Sequence, residues 1–357
     1  MPRDEGTTGS TSEARGPLRV QENPNPESWE AYVTAHPDAS IFHGLTWQRV
    51  LERTFRRYRP CHRIAWRGDR VCGVLPLYKV PSLPLGCALV STPLGVIGGA
   101  VADDEEAATA LIEDATAHAR RIGAGYVELR HERPHAGLPT KDLYVYFTKP
   151  IQREHEANLM AIPGKQRRGI RIAEKAGLTT RSGGPELLDA FYGVYTLNMR
   201  NLGSPPFPRK LFHALFEEYG DQARIFGAFQ GEAMTSGAFT FFYRDRIMPY
   251  YASATPQGMV ASTNEAMYWS IMRYGAEHGF TTFDFGRSKK DSGSYHFKRH
   301  WGFNPMPLPY QYQLVGKQEM PNLSPANPKF SMIIETWRRL PVGFTRWLGP
   351  KLSVFFP

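Results

Sequence analysis

The chain has 357 residues and is 41% hydrophobic and 13% aromatic, enough for real cores and too apolar for general disorder. Formal net charge is +9, from 43 Lys+Arg against 34 Asp+Glu, which favours anionic partners: nucleic acid, phosphorylated or nucleotide-linked substrates, or an acidic membrane face. Cys61, Cys72 and Cys87 show no C-x-x-C spacing, which argues against a disulfide framework or zinc site and fits a reducing cytoplasm.

Residues 1–20, rich in Gly, Ser, Thr and charge, lack an apolar segment and read as a disordered lead. No apolar run reaches eighteen residues, so no spanning helix is expected. Short helices are predicted over 28–35 and 47–55. The hairpin "HRIAWRGDRVCGVLPLYKV" follows, turning at Gly68-Asp69. "LVSTPLGVIGGAV" reads as a Gly-rich strand and loop. A helix over 105–122 carries Ala107, Leu111, Ala115 and Ala119 on one face; Gly123 ends it, and "GYVELR" is a strand. The second half repeats this order. "ARIFGAFQGEAMTSGAFTFFYRDRIMPYYASA" holds three strands, turning near Gln230-Gly231 and Arg244-Asp245. A helix over 264–278, with Asn264 as its N-cap, ends at Gly279, and "TTFDFGR" is the next strand.

Aligning Gly123 with Gly279 sets Val127-Glu128-Leu129 against Phe283-Asp284-Phe285. Each half thus reads as three strands, a helix, and a strand with one carboxylate in an apolar run. The alternatives are an internal duplication and a chance similarity of two mixed segments. Duplication implies an α+β (mixed α/β) chain of two similar domains, over 21–150 and 151–312, followed by a tail over 313–357.

Between the halves, "IPGKQRRGIRIAEKAGL" places Arg167, Arg168, Arg171 and Lys175 on one helical stripe, suited to tracking phosphates or to a solvated face. "QRRGIR" approaches a coenzyme A pyrophosphate loop, but Arg171 stands where a small residue is needed. The tail interleaves Trp337, Phe344, Trp347, Phe355 and Phe356 with Arg338, Arg339, Arg346 and Lys351. It suits either a membrane interface or packing on the protein's own core.

The stretches "GVLPLYKV", "LVSTPLGVIGG", "GYVELR", "IPGKQRRGIRIAEKAGL", "NLGSPPFP", "PYYASA", "FDFGRSKKDSGSYHFKRHWGF" and "TWRRLP…LGP" together resemble the FemAB-type proteins associated with exosortase/PEP-CTERM systems. These form a Fem-like branch of the GNAT acyltransferase superfamily, and the resemblance spans roughly residues 25–357. It implies tandem GNAT-like domains with a C-terminal helical tail, and acyl transfer to an amine of a cell-envelope or exopolysaccharide precursor. The implied donor is aminoacyl-tRNA or acyl-CoA, with no permanently bound cofactor. The implied location is cytoplasmic, with peripheral membrane contact through the tail. The alternatives are an acyl-CoA-dependent N-acyltransferase and a non-catalytic envelope assembly factor.

Amide formation needs an amine to lose a proton and an oxyanion to be stabilised, and no nucleophile elbow is visible, so direct attack by the acceptor is expected. The resemblance assigns Lys298, after Phe297, as the cation facing the developing charge. Asp284 is either a general base or an ion-pair partner of Arg287 or Lys298. Tyr250 and Tyr251 stand at the expected donor-docking loop, Tyr251 as a proton relay, although strand alternation predicts that one of the two packs the core. Lys165, Arg167, Arg168, Arg171, Asn264, Arg287, Ser288 and Phe297 complete the expected substrate- and donor-binding set. "SKKDSGSYHF" reads as a flexible lid or donor-phosphate loop. His296 and His300 lack a third ligand, so no metal is expected.

Overall fold

The computed structural model describes residues 16–82, 86–316, 319–320 and 328–357, with the side chains of Val260 and residues 328–330 left out. Most of the predicted lead therefore lies outside the described residues. The first half runs β1 (Leu18–Glu22), α1 (Pro26–Ala35), α2 (Leu45–Thr54), β2 (Arg59–Pro60), β3 (Arg63–Arg67), β4 (Arg70–Leu75), β5 (Tyr78–Pro81), β6 (Cys87–Ser91), β7 (Val101–Ala102), α3 (Glu105–Arg121), β8 (Tyr126–Arg130) and β9 (Thr140–Pro150). The second begins with α4 (His155–Met160), α5 (Gly164–Lys175), β10 (Thr179–Gly183), α6 (Leu188–Leu202) and α7 (Arg209–Tyr219). It continues with β11 (Ala223–Gln230), β12 (Ala233–Tyr243), β13 (Arg246–Ala254), α8 (Pro256–Val260), α9 (Thr263–Glu277), β14 (Thr282–Lys289), α10 (Gly293–His300) and β15 (Met306–Leu314). The tail forms α11 (Pro328–Arg339) and α12 (Val342–Leu352).

The repeat is realised as two parallel pairs, β6 with β8 and β13 with β14, each joined through a helix, α3 or α9. The sheets of the two halves are one. An 11-stranded sheet runs β10-β11-β12-β13-β14-β9-β15-β8-β6-β5-β2. At its centre β9, from the first half, pairs with β14, and β15, from the second, pairs with β8. The expected boundary at residue 150 thus falls at the end of a strand built into the other half's sheet. The hairpin of β3 and β4 peels away into a separate sheet, β1-β3-β4-β7. Its β1 begins at Leu18, inside the segment expected to be disordered.

Two helix ends differ from expectation. Helix α9 is preceded by Ser262 at φ 59, without a side-chain cap, and Asn264 is its second residue, not its N-cap. The stretch expected as a flexible loop instead spans the end of β14, a short turn and the first five residues of helix α10. Ser292 caps it by accepting from the Tyr295 N–H. Its end is a Schellman turn: Gly302, at φ 79, donates to Arg299, and Phe303 to Lys298. Lys298, Arg299 and His300 fill its last turn, where cations complement the helix dipole. Phe297, Lys298 and Trp301 face inward, and Trp301 is fully buried among Tyr268, Phe285 and Phe297.

The tail packs on α6. Ile334 lies against Gly203, Gly349 against Pro206, and Trp337 and Thr345 are buried. It also leaves Met332, Ile333, Phe344 and Trp347 exposed. Among the described residues, no helix is long and apolar enough to cross a membrane.

Candidate functional site

β13 and β14 pair only at Arg246↔Thr282 and Ile247↔Phe283, then diverge. Two parallel strands that part leave unpaired backbone and a wedge of space between them. Here the wedge opens into a cavity of about 330 Å³. Pro249 to Ala252 form one side, and Phe285, Gly286 and Arg287 the other; Ser294 and Lys298 come from α10. Leu94 and Val96, from the Gly-rich loop of the first half, close it from above. That loop is tied down by the Tyr250 hydroxyl, which donates to the Leu94 carbonyl, and by Tyr310, which donates to Val96 at 2.7 Å.

Two bulges shape the fork. One register shift in β13 lies between the residues facing Phe239 and Thr240, which pair with Tyr251 and Pro249. Tyr250 is the extra residue, so it and Tyr251 both border the cavity; the expected alternation of one inward and one outward tyrosine fails for this reason. The Tyr250 hydroxyl is engaged by Leu94, whereas the Tyr251 hydroxyl is buried without a hydrogen-bond partner among the described residues. The second shift, between Asp284 and Gly286, sits where Gly286 takes φ 65 and re-aims β14.

Lys298 is 8% exposed. Its Nζ donates to the Arg287 carbonyl at 2.8 Å and the Gly286 carbonyl at 3.3 Å, and lies over the Phe147 and Phe285 rings. Burial draws its pKa down to about 7; Arg287 adds to that shift and Asp284 opposes it. At neutral pH both protonation forms are therefore populated. With two hydrogens on carbonyls, the third position on Nζ is a lone pair in the neutral form and a donor in the charged one.

Asp284 is buried, but it does not border the cavity and pairs with neither of its expected partners. Tyr146 donates to Oδ2, Gly286 N–H donates to Oδ1 at 2.8 Å, and Arg246 stands 3.6 Å away. Burial raises its pKa, against those hydrogen bonds and cations. Asp284 thus clamps the bulge that presents the Gly286 and Arg287 carbonyls to Lys298. Arg287 donates instead to the Tyr310 hydroxyl at 2.7 Å.

The remaining expected residues stand outside the cavity. Phe297 packs on Tyr268, Phe285 and Trp301. Ser288 is buried, and its hydroxyl has no partner among the described residues. Asn264 lies in the first turn of α9. Lys165, Arg168 and Arg171 are exposed on α5, Arg167 reaches Met160, and α5 is seated on α9 with Gly169 against Glu265. "QRRGIR" is interior helix and forms no phosphate loop. His296 and His300 are exposed on α10, and among the described residues no three His, Cys, Asp or Glu side chains gather as a metal site.

Sequence reasoning missed Tyr146 and Arg246, which hold Asp284 from other strands, and the cavity walls given by Leu94, Phe207 and Phe356. The one local signal was Gly286 inside a strand pattern, which marks a bulge.

The sequence matches none of the curated proteins. Among solved structures, the fold is similar to that of FemX, with TM-score 0.63 and 17% identity over 88% of this chain and 100% of that one. It is similar to L-PGS from Bacillus licheniformis, with TM-score 0.52 and 16% identity over 91% and 98%. A tandem GNAT protein from the clavulanic acid biosynthesis pathway gives TM-score 0.52 and 11% identity over 85% and 100%. At these identities the likeness is one of fold. Residues 164–299, from α5 to just past Lys298, match the family described as Acetyltransferase (GNAT) domain, so the chain holds a GNAT-like stretch within a fold similar to that of FemX.

Proposed function

We propose that the chain is an acyltransferase whose reaction centre is the fork between β13 and β14. The observation that carries this reading is Lys298, buried on two backbone carbonyls with its pKa drawn down to about 7, in a cavity that Tyr251, whose hydroxyl has no partner among the described residues, also borders. The donor is an activated carboxyl, either the ester of an aminoacyl-tRNA or the thioester of an acyl-CoA. As the acceptor nitrogen attacks, the new C–N bond forms and the neutral Nζ of Lys298 takes the amine proton. The resulting ammonium faces the oxyanion, and Tyr251 donates to the same oxygen. When the C–O or C–S bond breaks, the proton passes to the leaving oxygen or sulfur.

Following the sequence resemblance, the acceptor is a cell-envelope or exopolysaccharide precursor linked to exosortase/PEP-CTERM export. The exposed apolar and basic tail face provides peripheral membrane contact. The test is mass spectrometry of envelope precursors from cells with and without the protein, paired with transfer assays offering aminoacyl-tRNA or acyl-CoA. An added aminoacyl or acyl mass that depends on Lys298 is the expected result. Unchanged precursors, with function retained in Lys298→Ala and lost on removing residues after Pro325, would instead establish the assembly-factor reading.

A further inference from the structure

Strand β9 comes from the first half to flank β14, and two adjacent residues of it reach the fork from opposite faces of the sheet. The Phe147 ring centroid lies 5.5 Å from the Lys298 Nζ. Tyr146 points the other way, and its hydroxyl donates to Asp284 Oδ2. Tyr146 is 5% exposed and Asp284 1%. In register Tyr146 stands opposite Arg287, so its side chain reaches back across the bulge between Asp284 and Gly286.

A carboxylate so far from water keeps its charge only while donors and cations hold it. Around Asp284 these are Tyr146, the Gly286 N–H at 2.8 Å and Arg246 at 3.6 Å. The Arg246 side chain is 39% exposed, and the Gly286 N–H belongs to the bulge itself, so Tyr146 is the buried side chain committed to the carboxylate. Asp284 makes no ion pair with Lys298 among the described residues, yet its charge favours the Lys298 ammonium, which burial and Arg287 disfavour. Tyr250 and Tyr251 of β13 and Tyr268 of α9 border the same cavity, and burial keeps their hydroxyls protonated. On α10 itself His296, Arg299 and His300 are exposed. Behind Asp284, Glu132 acts on Tyr146, and Glu132 and Asp245 act on Arg246.

We propose that Tyr146 is a positioning residue of the fork: its hydroxyl holds Asp284 as a carboxylate, and that carboxylate fixes the bulge beside Lys298 and balances the charge of the ammonium. Through this contact a strand of the first half governs when the lysine of the second half gives up its proton. Removing the hydroxyl leaves Asp284 with one backbone N–H and a partly exposed guanidinium, which favours the neutral acid. The Lys298 ammonium then loses its counter-charge and deprotonates at lower pH. The inference rests on the acyl-transfer reading only in what the proton is used for; the coupling itself is read without turnover.

The test is an NMR pH titration of the full chain carrying lysine labelled with carbon-13 at Cε, following the signal that Lys298→Met removes. That signal should inflect near 7 in the unaltered protein. Asp284→Asn keeps an oxygen for the Gly286 N–H and an amide for the Tyr146 oxygen, so the bulge stands while the charge goes. Its inflection should fall by about one pH unit, and that of Tyr146→Phe in the same direction by about half a unit. The inflection of the transfer rate should move with it in each variant. A purely structural clamp would instead lower the melting temperature, and the rate at every pH, with the inflection in place. An unmoved inflection in Tyr146→Phe, or an upward shift in either variant, overturns the proposal; should Tyr146→Phe not fold, an unmoved inflection in Asp284→Asn overturns it alike. Shifted inflections without any transfer would overturn the acyl-transfer reading and leave this coupling standing; Lys298-dependent transfer with unmoved inflections would do the reverse.

Discussion

The two halves of the chain each build a parallel fork, and they fill it in opposite ways. In the first, β6 and β8 stay paired through Ser91↔Leu129, and the next residue, Arg130, closes the gap. Its guanidinium donates to the carbonyls of Thr92 and Gly95 at 2.9 and 2.8 Å and to Glu128 at 2.8 Å. In the second, the position aligned with Arg130 is Gly286, which brings no side chain, and the fork stays open. The cation there is Lys298, delivered from a helix, with no carboxylate in contact. A satisfied, permanently charged arginine is a structural plug; a lysine near neutrality on two carbonyls is poised for proton transfer. One template thus yields a scaffold in one half and a candidate reaction centre in the other.

Five experiments would break or sharpen that contrast. The largest effect is expected from Lys298→Ala, which should lower the transfer rate by about 10²–10³-fold with the fold intact. In the unaltered protein the rate should climb about tenfold per pH unit below an inflection near 7, the pKa of Lys298, because the neutral amine is the base. A flat profile, or an undiminished rate in the variant, would remove Lys298 from the chemistry. Next, Arg130→Met should cost about 3 kcal/mol by chemical denaturation, since it strands Glu128 and two carbonyls in the interior. A neutral result would deny the plug.

Lys298→Met should do the opposite and stabilise the fold by about 2 kcal/mol at pH 6. The sign follows from the depressed pKa: between about 7 and the ordinary lysine value, the folded protein holds fewer protons than the unfolded chain. The cost of burying Lys298 is therefore fully present below 7 and fades as pH rises toward 10. The gap between the melting temperatures of the two proteins should be smaller at pH 9 than at pH 6, and an equal gap would contradict the shift. Smallest is Gly286→Ala. An added Cβ meets nothing within 4 Å, so the cost is backbone strain at φ 65, about 1 kcal/mol. A rate loss well beyond that would show that the bulge aims the Lys298 carbonyl partners.

What could be read in the sequence was what local pattern determines. The strand order of each half, the turns at Gly68 and Gly231, and α3 with its alanine face all follow from periodicity and glycine placement. Helix α10 was not legible, because Gly, Ser, His and Tyr are weak helix formers; its cap, its Schellman turn and the burial of Trp301 override propensity. The partners of Asp284 were hidden for another reason: Tyr146 lies 138 residues away, and only sheet register joins them. Tyr250 and Tyr251 were misassigned because a bulge breaks the period-two pattern. Lys298 itself was found through the Phe-Lys resemblance, since its burial carries no local signature.

The exchange of β9 and β15 across the centre of the sheet has a mechanical meaning. Each half is completed by a strand the other contributes, so neither can hinge away without tearing the ladder. The molecule should therefore melt in one calorimetric transition, and substrates should enter by displacement of helices and loops around a stiff frame. The walls of the fork keep a fixed spacing throughout turnover, like jaws machined from a single block.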